Sequence, residues 1–201
     1  MMMEIRELRV LDVLANTTNT IAEGEVLQLM HCKNPNTTEE NYLEVIYRKT
    51  AKLFEAASRI GAIISKSDEQ VENSLIKYGR HLGSAFQLID DALDYNADHN
   101  DLGKNIGDDL SEGKPTLPLI YALQNGSAAE RNMIKEAIQS GGTQNLKSIQ
   151  LAIESSGGIR YTEEKAKEQI ELAINSLNTL PENKYKKALI ELANHSLSRN
   201  Y

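Results

Sequence analysis

The sequence predicts an all-α protein, a helix bundle, and three observations carry that prediction. Apolar residues recur in steps of three and four along most of the 201 residues, and no segment reads as a convincing strand. Gly (12) and Pro (4) are too sparse for a turn-rich sandwich or barrel, and Trp is absent. Ser or Thr followed three residues later by Glu or Gln, the signature of a helix start, recurs along the chain. The length and the 40% apolar, 25% charged composition suit a single helical domain over 1–201.

The first helix is expected from about Glu4 to Met30, with Ile5, Leu8, Leu11 and Leu14 at helical spacing. It opens without a capping residue and already in register, the pattern of a chain incomplete at its N-terminus. His31 to Asn36, with Pro35, is a connection. Thr37 and Glu40 form a capping-box pattern, and the helix after them carries Tyr42, Val45, Ile46, Leu53, Ala57, Ile60 and Ile64 on one side. Ser67 and Gln70 open the next. It holds Val71, Leu75, Tyr78, Leu82, Phe86, Ile89 and Leu93 in steps of three and four, the strongest helical pattern in the chain. From Asn96 to Gly113 the period vanishes among Asp, Asn and Gly, which predicts a long loop, and such loops are functional or disordered. Helices resume after Lys114-Pro115, restart at Ser127 with Glu130, and restart again near Thr143. They stop at Gly157-Gly158 and finish with Tyr161–Asn178 and Glu182–Ser198.

The formal charge is -7, from 22 basic and 29 acidic residues. No basic patch is large enough to neutralise several phosphates, which argues against a nucleic-acid partner. The acid is concentrated instead. Between Asp90 and Lys114 stand Asp90, Asp91, Asp94, Asp98, Asp101, Asp108, Asp109 and Glu112 against Lys104 and Lys114, leaving the rest of the chain nearly neutral. The single Cys32 cannot form an internal disulfide, so a reducing cytoplasm is the expected setting. Met1 to Arg6 lack the basic start and apolar run of a signal peptide, and no apolar stretch approaches the ~20 residues of a membrane span.

The chemistry is concentrated in Phe86-Gln87-Leu88-Ile89-Asp90-Asp91-Ala92-Leu93-Asp94-Tyr95. On a helix, Gln87, Asp91 and Asp94 fall at i, i+4 and i+7, with Asp90 beside them. The helix thus buries Phe86, Ile89 and Leu93 and presents three carboxylates on the adjacent face. Those carboxylates repel one another and sit at the helix end where the macrodipole disfavours negative charge. A hard divalent cation removes the conflict, and few carboxylates per ion suit Mg²⁺ shared with phosphate oxygens. Two other readings stand beside this one: a solvated acidic helix end, and a calcium loop starting at Asp94, Asn96 and Asp98. The calcium loop fails at His99, where Gly is needed, and at Asn105, where Glu is needed.

The same segment resembles the second aspartate-rich motif of the trans-type prenyl diphosphate synthases. Gly103-Lys104-Asn105-Ile106-Gly107-Asp108-Asp109, running on to Lys114-Pro115-Thr116-Leu117-Pro118, resembles the family's stretch immediately after that motif. Lys49-Thr50-Ala51-Lys52-Leu53-Phe54 is similar to the family's Lys-Thr element, and Ile21 to Leu29 to its Glu/Gln element. The wording is nearest that of bacterial long-chain members. The resemblance implies an antiparallel helix bundle of the isoprenoid synthase type around a deep pocket, a homodimer, and Mg²⁺ as cofactor. The implied reaction is transfer of an allylic prenyl diphosphate onto isopentenyl diphosphate, with a long, octaprenyl-like product for quinone side chains. It also implies peripheral membrane contact through the lipid product. By match to the motifs, Asp90, Asp91 and Asp94 hold or orient the metal, and Asp90, Asp91, Lys49 and Lys104 are the catalytic set. Lys49, Lys104 and Lys114 contact the diphosphate, with Thr50 and Gln87 as polar contacts and Glu25 and Gln28 in the same pocket. The family's first aspartate motif and its Gly-Lys-Arg element are not found: Asp12 stands alone, and no two arginines are adjacent. The chain by itself is therefore expected to be inactive. A non-catalytic subunit paired with a complete synthase and an unrelated helical Mg²⁺/phosphate module are the alternatives.

Overall fold

The computed structural model describes residues 7–95, 107–142 and 144–197. Every regular element among them is helical: α1 (Leu8–His31), α2 (Glu39–Ile46), a π-helical turn (Tyr47–Ala51), α3 (Lys52–Ile64), α4 (Glu69–Leu93), α5 (Asp108–Ser111), α6 (Leu117–Asn125), α7 (Ala128–Ser140), α8 (Leu146–Ser156), α9 (Gly158–Ser176), a 3₁₀ turn (Leu177–Thr179) and α10 (Lys184–Leu197). The bundle is built around α4, which packs most extensively on α3 and α9. Its Tyr78, Leu82 and Ala85 lie in one core cluster with Ile170, Ala173, Leu177 and Ala193. Leu88 and Ile89 lie in a second with Tyr42, Ile46, Leu117 and Ile120.

Several local expectations shift. α1 starts at Leu8, with Glu7 as its cap accepting from the Arg9 amide at 3.2 Å. The buried face of α1 is Val10, Val13, Thr17 and Gly24, while Leu8 is 75% exposed. The small residues, not the leucines, mark where α1 comes closest to the bundle. The capping box of α2 is Thr38 with Asn41, one residue beyond Thr37 and Glu40. Asp68, not Ser67, caps α4 by accepting from the Val71 amide at 2.8 Å. Ser127 and Glu130 form their box as expected. The described end of the acidic loop contains a helical turn, α5, entered through Gly107 at φ 80.

The largest departure is the π-turn. The single expected helix from Tyr42 to Ile64 contains a wider turn at Tyr47–Ala51, and one wide turn moves every later residue out of the 3.6 phase. Leu53, Ala57 and Ile64 therefore lie exposed, and Glu55, Ala56, Ala62 and Ile63 turn inward. Polar contacts hold the turn. The Tyr47 hydroxyl donates to buried Glu55 at 3.2 Å, Lys52 pairs with the same carboxylate, and the Arg80 guanidinium lies 4.3 Å from the Tyr47 ring centre.

Glu72 ties three helices together, accepting from Arg9 Nη2 at 2.6 Å and Arg59 Nε at 2.9 Å. Burial alone would raise its carboxyl pKa, but hydrogen bonds and charge from the two guanidiniums outweigh that and hold it below the ordinary value. Such a depressed group stabilises the fold fully above its unfolded pKa of ~4.3 and loses that contribution as pH falls through the folded value. Glu72→Gln is expected to cost roughly 1–2 kcal/mol at pH 7, kept modest because both arginines reach solvent. Melts of parent and variant should converge as the pH drops below ~4. A gap that widens on acidification would refute the assignment.

Candidate active site

The last two turns of α4 carry Gln87, Asp90 and Asp91, and Asp94 caps the helix. The π-turn places Lys49 and Thr50 on the same cavity, of about 230 Å³, as Gln87, Asp90 and Asp91. Gln28 and His31 close it from the end of α1, and Asp109, Lys114 and Thr116 from the far side. Gly24 lets α1 approach this closely. A Cβ there would stand 2.7 Å from the Lys49 amide nitrogen, which is backbone and cannot step aside.

Within the cavity the polar groups form two networks. Lys49 Nζ donates to Gln28 Oε1 at 2.7 Å and pairs with Glu25 at 3.4 Å. The other network runs inward from the cavity wall to buried Asp91. The Thr50 hydroxyl donates to Gln87 Oε1 at 2.9 Å, and Gln87 Nε2 donates to Asp91 Oδ1 at 2.7 Å. Tyr42 donates its hydroxyl to Asp91 Oδ2, also at 2.7 Å. Lys114 Nζ reaches Asp109 at 3.1 Å and Glu112 at 2.7 Å. Burial lowers the Lys114 pKa, but these two carboxylates more than reverse that and hold it above the ordinary value.

Of the residues singled out in the sequence, Lys49, Thr50, Gln87, Asp90, Asp91, Lys114 and Gln28 line the cavity. Asp91 is not on a solvent-facing carboxylate row. It is 3% exposed, with both oxygens engaged inside the protein. Asp94 lies off the cavity wall and accepts from the Asp109 amide at 3.3 Å. Glu25 does not line the cavity and pairs with Lys49 at 3.4 Å. Lys104 lies outside the described residues, as do Asn96, Asp98, His99 and Asn105 of the calcium-loop reading. Tyr42 and His31 also line the cavity and carry no sequence signal of their own, since Tyr42 sits on an apolar stripe and His31 has no partner spacing; Asp109, in the acidic window and the stretch after the aspartate motif, lines it too, although no role was assigned to it.

The donor set fits Mg²⁺ shared with a ligand. Burial first, and then the charge of Asp109, push Asp94 up to about 7, and the same two causes raise Asp91. Among the described residues Asp109 pairs with Lys114, while Asp91 and Asp94 are held by uncharged donors. Yet among the described residues no group of three or more His, Cys, Asp or Glu is arranged to hold a metal alone. A site that supplies one or two carboxylates and leaves the rest of the shell open is what Mg²⁺ bound with phosphate oxygens requires.

Comparison with known proteins decides the relationship: the polyprenyl synthetase description matches residues 1–155. The chain belongs to the polyprenyl synthetase family. It is 48% identical over 199 residues to octaprenyl diphosphate synthase of Haemophilus influenzae, covering 98% of this chain and 60% of that protein. It is likewise 48% identical to octaprenyl diphosphate synthase of Escherichia coli, covering 100% of this chain and 62% of the relative. The chain thus spans about three-fifths of these relatives. The fold superposes with a TM-score of 0.93, at 40% identity, on a polyprenyl synthase from Caulobacter crescentus complexed with calcium and isoprenyl diphosphate. The match covers 98% of this chain and 61% of that one. The TM-score is 0.91, at 38% identity, for decaprenyl diphosphate synthase from Rhodobacter capsulatus, with 98% and 61% covered. Among the described residues no helix is long and apolar enough to cross a membrane.

Proposed function

We propose that this protein acts as a trans-type prenyltransferase, joining an allylic prenyl diphosphate to isopentenyl diphosphate. The observation that carries the reading is one cavity lined by both cations and carboxylates, Lys49 and Lys114 with Asp90, Asp91 and Asp109. A diphosphate needs that pairing. Lysines take its oxygens directly, while carboxylates take them only through a divalent cation. Bound Mg²⁺, held by Asp90 and Asp94 and oriented through Asp91, would neutralise the leaving diphosphate. Lys49, Lys114 and, from the motif, Lys104 would add fixed positive charge at the departing oxygen. Thr50 and Gln87 would line the reacting end of the allylic chain, with Gln28 and Glu25 steadying Lys49. A long product of octaprenyl length, a homodimer, a cytoplasmic setting and membrane contact through the lipid product complete the reading.

The test is calorimetry with the thio analogue of farnesyl diphosphate, whose C–S bond resists ionisation, with and without Mg²⁺. Binding should require Mg²⁺, and Mg²⁺ alone should bind weakly. Labelled isopentenyl diphosphate should enter extracted lipid when the chain is supplied with the whole length of its relatives. No binding of the analogue at millimolar Mg²⁺, or tight Ca²⁺ binding without diphosphate, would refute the reading.

A further inference from the structure

The network running inward from the cavity wall has a direction, and one residue at its far end sets it. Asp91 accepts hydrogen bonds at both of its oxygens. Its Oδ1 takes the Gln87 amide nitrogen, and its Oδ2 takes the Tyr42 hydroxyl. With Nε2 turned to Asp91, the Gln87 Oε1 must face Thr50, and there it takes the Thr50 proton. The chain of donors therefore runs from Thr50 through Gln87 to Asp91, and from Tyr42 to Asp91. Thr50 consequently shows the cavity its oxygen lone pairs and not its proton. An amide side chain can usually turn over at little cost. Here it cannot, because an acceptor lies at the nitrogen end and a donor at the oxygen end.

Tyr42 is 5% exposed, and it packs with Ile46, Leu88, Ile89 and Leu117. Its ring belongs to the core, but its hydroxyl is the only donor the structure places on Asp91 Oδ2 among the described residues. Without it, a buried carboxyl oxygen would be left unpaired, a costly state that turning the carboxyl group relieves. That rotation breaks the bond to Gln87 and frees the amide to flip.

We propose that Tyr42 is a positioning residue, fixing Asp91 and through it the orientation of Gln87 and Thr50 at the cavity wall. The proposal rests on the diphosphate-binding reading above. It assigns a task to a tyrosine on α2, 49 residues away from Asp91 in sequence.

A double-mutant cycle tests it, read as affinity for the thio analogue of farnesyl diphosphate in Mg²⁺, with thermal melts on every protein. Tyr42→Phe keeps the ring and removes only the hydroxyl. Tyr42→Phe and Thr50→Val are each expected to weaken binding about tenfold, and the double variant no more than about twofold beyond either, because both break one chain. In a Thr50→Ser background the hydroxyl persists, so Tyr42→Phe should again cost about tenfold. A tyrosine that merely packs would give losses that multiply to about a hundredfold in the double variant, and that result overturns the proposal. Unchanged affinity in Tyr42→Phe overturns it too. Failure of the parent chain to bind the analogue would instead overturn the functional reading on which the proposal stands.

Discussion

An Asp90→Ala/Asp94→Ala chain is expected to lose Mg²⁺-dependent affinity for the allylic analogue by roughly 100-fold or more, about 2.7 kcal/mol, while melting close to the parent. The two effects have one origin. Both carboxylates sit at the C-terminal end of α4, where the helix dipole and their neighbours oppose negative charge. Asp94 carries that penalty visibly, pushed up to about 7 by burial and then by Asp109. An acid whose folded pKa is raised destabilises the fold when ionised, and the penalty fades as pH falls below the folded value toward the unfolded one. Relief of the Asp94 penalty should offset the loss of its bond from the Asp109 amide, so the metal-free fold should melt close to the parent while the bound state loses the proposed metal ligands. Calorimetry with and without Mg²⁺, beside melts near pH 8 and pH 5, separates the two. Equal affinity in parent and variant would remove these aspartates from the site. A variant that melts well below the parent near pH 8 would show that the carboxylates are structural.

What the sequence could reveal depended on whether one residue type had one plausible environment. α4 was legible from Val71 to Leu93 because a long buried face imposes its period on many residues at once. The caps of α2 and α4 were legible to within one residue. Thr37-Thr38 and Ser67-Asp68 each offer two adjacent capping side chains, and only the phase of the helix beyond them chooses between the two. The π-turn was not legible, since any reading by a fixed 3.6 period assumes that no turn is wider. Beyond it that assumption put Leu53, Ala57 and Ile64 on the wrong face, although Ile60 still packs on the core.

The site divides in the same way. Lys49, Thr50, Gln87 and Asp90 were readable because their motifs keep fixed spacing along the chain, and all four line the cavity. Tyr42 was not, because its burial among Ile46, Leu88 and Ile89 makes it look like core by every local measure. Its hydroxyl acquires meaning only when Asp91 is known to lie across from it. Asp91 is legible as an acid of the motif, but helical phase alone puts it on an exposed face. A carboxylate can be buried there because Tyr42 and Gln87 supply the donors that replace water.

The close crossing behind the cavity gives the last expectation. Gly83 lies on α4 one turn before Gln87, where a Cβ would stand 2.6 Å from the Ala51 Cα and 3.0 Å from the Phe54 Cβ. Carbon atoms settle at ~3.5–4.0 Å, so α4 would have to withdraw from the π-turn by an appreciable part of an ångström. Ala51 is fully buried and the clash is with backbone, so no rotamer change relieves it. Gly83→Ala is therefore expected to destabilise the fold by roughly 1–3 kcal/mol in spite of the better helix propensity of alanine. The withdrawal also separates Gln87 from Thr50, now 2.9 Å apart, so affinity for the allylic analogue should fall with stability. Gly61→Ala is the matching control, since a Cβ at that helical position meets nothing within 4 Å. It should melt at or above the parent, by up to ~1 kcal/mol, and bind as the parent does. If Gly83→Ala instead behaves like Gly61→Ala, α4 does not cross the π-turn at the distance that joins Thr50 to Gln87, and the directional network at the cavity wall loses its structural basis.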